Sequence, residues 1–295
     1  MTLVTSVTSA LGLYLLYLYK IVMEVVEMKN LDAFKLKWIA IIGMLLNHMV
    51  IAWWEIIPTG LRFPLYAAGG LTFPIMAYFV VEGYRHTANL KRYLLRLFII
   101  GLIAVPFHVL AIGVPIGPGY PVLNIMFSII LSLIVLVLYD KIKVRALFWV
   151  LYVLVIAPIS LIFFEWYFIG ITMVLLFYII RNENARRIIP PIFAGSCWLV
   201  LSLLSKWSLT YMEATLGAEA YAEMAQSLMG NADFALVMLT FAIGCILAAL
   251  LLKNFNGERG KRMKWFFYIF YPLHLAVLAA VALALGLINL NGFGL

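Results

Sequence analysis

Charge is scarce in this chain. Asp, Glu, Lys and Arg make up only 12% of its 295 residues, against 66% hydrophobic ones, and the mean hydropathy is +1.07. That balance excludes an ordinary soluble domain. Cysteine is nearly missing too. Cys197 and Cys245 both fall inside apolar runs, which argues against a disulfide framework and for inert packing. With four histidines beside those two thiols, no bound metal is expected. The motifs GxxxxGK(S/T), HExxH, CxxC, CxxCH and GxSxG do not occur, so phosphate-loop, zinc-protease, thiol-redox, haem-attachment and serine-elbow chemistries lack their usual parts. There is no linker, low-complexity tract or clear repeat. The formal charge of +8 suggests a nucleic-acid partner, but the cations punctuate the ends of apolar runs, so none is expected.

Membrane-spanning length is what the chain has in abundance. Hydropathy predicts an all-α, polytopic bundle with spans at about 38–57, 64–84, 93–114, 122–139, 146–164, 166–180, 188–205, 232–252 and 265–288. The 166–180 run is the weakest and has a second reading, as part of a re-entrant feature with its neighbour. Several spans carry Pro and Gly, which fits tilted or broken helices around a cavity facing the cytoplasm. Residues 1–28 form a separate apolar segment, either a tenth span or an interfacial helix, followed by the main domain at 29–295. A cleaved signal peptide is disfavoured, since no basic region precedes the run and no small-residue cleavage site ends it.

The basic residues alternate from loop to loop without a slip. Of 21 Lys and Arg, all but Arg62, Lys206 and the unassigned Lys20 fall on one face, which the positive-inside rule makes cytoplasmic in a cell membrane. The largest loop on the other face, about 206–231, holds Glu213, Glu219 and Glu223 and reads as a partly amphipathic helix.

Against that background two histidines stand out. His48 lies eleven residues after Lys37, and His274 ten residues after Lys264. At 1.5 Å per residue each is about 15 Å into a core about 30 Å thick, counted from the same face. Ionisable groups at that depth are functional candidates, and two at one level predict a shared polar chamber. Lys37 shares a helix face with His48, so a cation stands above a buried base, as a path for an anionic chain would need; a snorkelling flank lysine is the other reading. Glu82 and His86 are one turn apart and form a second candidate acid–base pair, or an ordinary ion pair at a helix end. Asn124 and Ser128 are pore-lining donors or interhelical hydrogen-bonding residues. Pro272, beside Tyr271 and His274 in YPLH, bends its helix either at a site or for packing. His108 is assigned a structural or water-facing role, and Glu165 and Asp233 ordinary solvation at span ends.

The segments LKWIAIIGMLLNH (36–48), FPIMAYFVVEGYRHTANLKRYLLRL (73–97), LNIMFSIIL (123–131), EWYFIGITMVLLFYIIR (165–181) and KWFFYIFYPLHL (264–275) together resemble the TraX family, named for a pilin N-acetylase of conjugation systems. The resemblance runs from about 31 to 288. Asn47 departs from it, since the family pattern would place an aspartate before the histidine. TraX is in turn similar to the acyltransferase-3 superfamily, whose basic residue eleven positions before a histidine matches Lys37 and His48.

The resemblance implies transfer of an acetyl group from cytoplasmic acetyl-CoA to an acceptor at or across the membrane: a pilin amino terminus, an envelope glycan or a small molecule. On it, His48 is the expected general base. His274 is an orienting, carbonyl-donating or relay residue, with Glu82 and His86 as further acid–base candidates. Lys37, Arg85, Lys91 and Arg92 would hold the CoA phosphates, and Tyr271, Asn124 and Ser128 would line the donor's path. A proton-coupled secondary transporter is the competing class, although no repeated half and few intramembrane carboxylates accompany it. A non-catalytic component of a conjugation or fimbrial assembly is a third.

Overall fold

The computed structural model describes residues 30–112, 115–116, 120–121, 123–216, 234–262 and 264–288. The N-terminal apolar segment, 1–28, lies outside them. Within them the chain is a polytopic helical bundle, and each of the nine predicted spans has a helix. These are α1 (Ala33–Ala52), α2 (Thr59–His86), α3 (Leu90–Ile112), α4 (Ile125–Lys141), α5 (Arg145–Phe163), α6 (Tyr167–Ile179), α7 (Glu183–Leu216), α8 (Phe234–Lys253) and α9 (Lys264–Ala284). Seven are long and apolar enough to cross a membrane. The other two, α4 with 17 residues and α6 with 13, are shorter. Between α3 and α4, Pro115–Ile116 pairs antiparallel with Tyr120–Pro121.

Short polar side chains set several helix starts. Asp32 Oδ1 accepts from the Lys35 N–H at 2.8 Å, Asn89 Oδ1 from Arg92 at 2.9 Å, Asn124 Oδ1 from Met126 at 3.1 Å and Asn182 Oδ1 from Ala185 at 2.9 Å. Each satisfies an orphan donor of a first turn. In α5 the segment Tyr152–Ile156 widens to a π turn, and the Ala157 N–H reaches back to Tyr152. Pro158 follows at once, so the extra residue removes the clash a proline would make with an α-helical carbonyl.

The surface and the interior are both apolar, as lipid requires. Leu102, Val153, Leu154 and Leu203 are exposed, whereas α6 has no exposed residue and buries Ile169, Ile171, Met173 and Phe177. A helix so largely buried has little lipid thickness to match, which fits its shortness, and the left-handed backbone at Trp166 and Tyr167 separates it from α5. Tight crossings hold the centre. A side chain at Gly244 would meet the Ala67 carbonyl oxygen at 2.2 Å and Gly70 Cα at 2.6 Å, so α8 and α2 touch backbone to backbone.

Contacts between helix ends sort the two faces. Leu31 bridges Phe255, Arg186 pairs with Glu82, and Tyr84 and Tyr178 share Asp140, all among basic ends. On the opposite side Leu123 bridges Phe164, Trp53 Nε1–H donates to the Leu278 carbonyl, and Ser202 to that of Ala235. The loop expected at 206–231 begins instead as a continuation of α7, which runs 34 residues to Leu216. At about 51 Å it outreaches the hydrocarbon core. Residues 217–233, with Glu219, Glu223 and Asp233, lie outside the described residues.

Candidate functional site

His48 on α1 and His274 on α9 meet inside the bundle, with His48 Nδ1 and His274 Nε2 2.7 Å apart. The rings are 8° from parallel with centroids 5.0 Å apart. At so short a nitrogen–nitrogen distance, that arrangement is edge to edge in one plane. His274 Nδ1 lies 3.0 Å from the Phe270 carbonyl oxygen, which can only accept, so Nδ1 carries the proton. In the neutral ring Nε2 is then a lone pair. His48 Nδ1–H therefore donates to it, and His48 Nε2 is left as an unprotonated base. The Phe270 ring stacks on His274 at 5.0 Å and 7°, holding the acceptor in place.

His48 borders a chamber of about 300 Å³. Asn47 lines it too; its Nδ2 is buried without a hydrogen-bond partner, and the side chain is wedged where any residue larger than Gly69 would stand 2.4 Å from its Cγ. Tyr271 contributes another wall, buried to 1% exposure.

Two residues given bland roles from the sequence also line this chamber. His108, 4% exposed on α3, has Nε2 2.5 Å from Glu165 Oε1. Glu165 is not at a solvated span end. Its turn folds in because the Ser128 hydroxyl donates to its carbonyl at 2.8 Å and its N–H reaches Leu123 at 3.3 Å. The next two residues, Trp166 (φ 62°) and Tyr167 (φ 49°), both adopt left-handed backbone. Bulky residues in that region are uncommon and the strain clusters at functional sites. The acidic residue closing an outer span, followed by two aromatics, is the only sequence signal of this turn.

Against the chamber lies a second cavity of about 210 Å³ at the basic face. Met76, Met126, Ile129 and Phe267 belong to both linings. Lys37 lines the second cavity with Nζ over the Phe79 ring at 4.7 Å, together with Arg259, Lys261 and Arg262. Among the described residues it has no carboxylate lining. These cations arrive by docking of the loop before α9. Leu31 N–H donates to Asn254 O, Asn256 N–H to Leu31 O at 2.9 Å, and Ala33 N–H to Glu258 O at 2.8 Å. Gly257 and Gly260 give the loop its positive φ values. The glycines spaced among charges in NGERGKR (256–262) were the available signal.

The other sequence candidates have different occupations. Glu82 accepts from Arg186 Nη1 at 2.8 Å, and Arg186 also reaches Glu183 at 2.7 Å and the Tyr78 hydroxyl at 3.2 Å. His86 is largely exposed and donates to the Glu82 carbonyl. Both stand among the basic helix ends, apart from His48. Arg85 lies over Tyr178 and donates to its carbonyl at 2.8 Å, while Lys91 and Arg92 are exposed in the first turn of α3. None of the three lines the basic cavity. Asn124, besides capping α4, donates to the Gly101 carbonyl at 2.9 Å, and Ser128 holds the Glu165 turn. These two are interhelical rather than pore-lining.

The family model for TraX protein matches residues 33–282. The chain belongs to the TraX family. Its matched span runs from the start of α1 almost to the end of α9 and contains both histidines, Glu165 and the basic loop. This TraX protein is 28% identical over 279 residues to the probable fimbrial assembly protein FimC, serogroup H1, of Dichelobacter nodosus, covering 87% of this chain and 99% of that protein. No solved structure matches it.

Proposed function

We propose that this TraX protein is a membrane acyltransferase that moves an acetyl group from acetyl-CoA to an acceptor in the membrane or its envelope, with a pilin or another envelope component as the acceptor. The observation that carries the reading is His48, whose Nδ1–H bond to His274 leaves Nε2 as the basic nitrogen, lining a chamber that adjoins a polycationic cavity. The positive-inside rule puts that cavity on the cytoplasmic side, where acetyl-CoA is made. Lys37, Arg259, Lys261 and Arg262 suit its phosphates, and Phe34, Phe79 and Tyr93 offer ring faces to its adenine. From Lys37 to His48 is eleven residues of helix, about 16 Å, a pantetheine-length reach.

In the transfer, His48 Nε2 takes the acceptor's proton as the new bond to the acyl carbon forms. The thioester C–S bond breaks, and the proton passes from His48 to the leaving thiolate. His274 Nε2 keeps His48 in the productive tautomer, as the third member of a catalytic triad does. The likeness to a fimbrial assembly protein supports an envelope acceptor.

Purified protein given labelled acetyl-CoA and envelope fractions should transfer label, and His48→Ala should lose transfer while retaining its fold and saturable acetyl-CoA binding. A permease would show no such binding. Full transfer by His48→Ala, or no acetyl-CoA binding by the wild type, would remove this reading.

A further inference from the structure

The chamber holds a second titratable pair that the transfer just described does not use. His108 donates its Nε2–H to Glu165 at 2.5 Å. The carboxylate keeps 23% of its side-chain surface open, while His108 behind it is almost fully enclosed. Among the described residues no Lys or Arg lines this chamber, so no fixed cation neutralises Glu165. The chamber's other titratable groups are His48 from α1, Tyr167 from α6 and Tyr271 from α9. The same chamber has an aromatic wall. Trp166, Trp198 and Phe241 are mutually 5.5 to 5.7 Å apart, and Phe73 is 4.9 Å from Trp166. A chamber that combines a carboxylate with aromatic rings suits an organic cation. The two residues after Glu165 both hold left-handed backbone, a strain that clusters at functional sites.

We infer that Glu165, positioned by His108, is a second proton-accepting station, which binds the acceptor as an ammonium ion and takes the proton it must lose before it can attack. The inference rests on the acyl-transfer reading. Its proton count explains why one base is not enough. An ammonium R–NH3+ gives its first proton to Glu165 and becomes R–NH2. The nitrogen lone pair forms the C–N bond, the C–S bond breaks, and the second proton goes through His48 to the CoA thiolate. The products are the amide, free CoA thiol and one proton, which Glu165 returns to water. A hydroxyl acceptor releases no net proton and would need His48 alone.

The test uses full-length protein in native membranes, with labelled acetyl-CoA as the probe. Wild type should place label in linkages that survive mild base, as amides do and esters do not. Glu165→Gln should lower transfer about 100-fold near neutral pH. That deficit should shrink as pH rises from about 6 to about 9, because solution then supplies the free amine. Glu165→Asp keeps the charge and should retain more activity than Glu165→Gln. Saturable acetyl-CoA binding in both variants shows that they are folded. Base-labile label, a Glu165→Gln rate equal to wild type, or a deficit constant across pH would each overturn the inference while leaving acyl transfer standing. No transfer by the wild type would remove both.

Discussion

If His274 works through His48, removing it should matter only while His48 is present. His274→Ala deletes the acceptor 2.7 Å from His48 Nδ1 and leaves that N–H buried without a partner. That hydrogen bond becomes charge-assisted as His48 takes up the proton, so its loss removes about 1.5–3 kcal/mol of transition-state stabilisation, a rate loss of about 10- to 150-fold. The His48 ring also becomes free to take the other tautomer, with its proton on the nitrogen that should be the base. Deleting a general base outright costs about 100- to 10,000-fold. The double variant should therefore be no slower than His48→Ala alone, a fully non-additive pair. His274→Gln, whose side-chain carbonyl can accept where Nε2 did, should recover part of the rate. The assay is single-turnover transfer from labelled acetyl-CoA at saturating donor. The concentration needed for saturation should stay constant, because the basic cavity lies elsewhere. Multiplicative losses in the double variant, or an unaltered rate in His274→Ala, would refute the tautomer argument.

Three further outcomes follow from the packing and the electrostatics. Neutralising Arg259 or Arg262 should weaken acetyl-CoA binding about tenfold each, the worth of one charge-assisted contact, whereas Arg85→Ala, Lys91→Ala and Arg92→Ala leave it unchanged in a binding titration. Gly244→Ala forces a methyl to within 2.2 Å of the Ala67 carbonyl, and should cost about 1–3 kcal/mol by overpacking, read as a lower Tm in detergent. Arg186→Leu takes one cation from Glu82 and Glu183, which keep Arg85 at 3.8 Å and Arg187 at 3.0 Å and are partly exposed, so the cost is discounted to about 1 kcal/mol. Donor binding by the surviving folded fraction should be normal.

The helices were legible because lipid imposes apolar length and charge alternation on a sequence, and both are local properties. The meeting of His48 and His274 was legible for the same reason: equal distance from a basic flank is a count along two helices. What escaped notice depends on tertiary contact. Glu165 sits at a span end, where counting assigns it to solvent, and only the inward fold of its strained turn brings it to His108. Arg259 and Arg262 read as generic positive-inside residues until the hydrogen bonds from Leu31 and Ala33 dock their loop over Lys37. Conversely, Glu82 and His86 satisfied helical spacing, but Arg186 claims the carboxylate from a helix a hundred residues away.

Met76, Met126, Ile129 and Phe267, shared by the two cavities, also bear on the membrane as an electrical insulator. A charge crossing the bilayer exchanges about 2.3 kcal/mol per 100 mV, so an unbroken file of water from the basic face to the buried histidines would expose them to the transmembrane voltage. The residues that the two cavities share, two thioethers, an aliphatic side chain and a ring, put apolar surface where that file would run. Methionine is pliable enough to part around a slender chain and close behind it. If acyl transfer is the reaction, a long, thin donor lying in this neck would act as its own stopper, reaching the middle of the membrane without short-circuiting the cell.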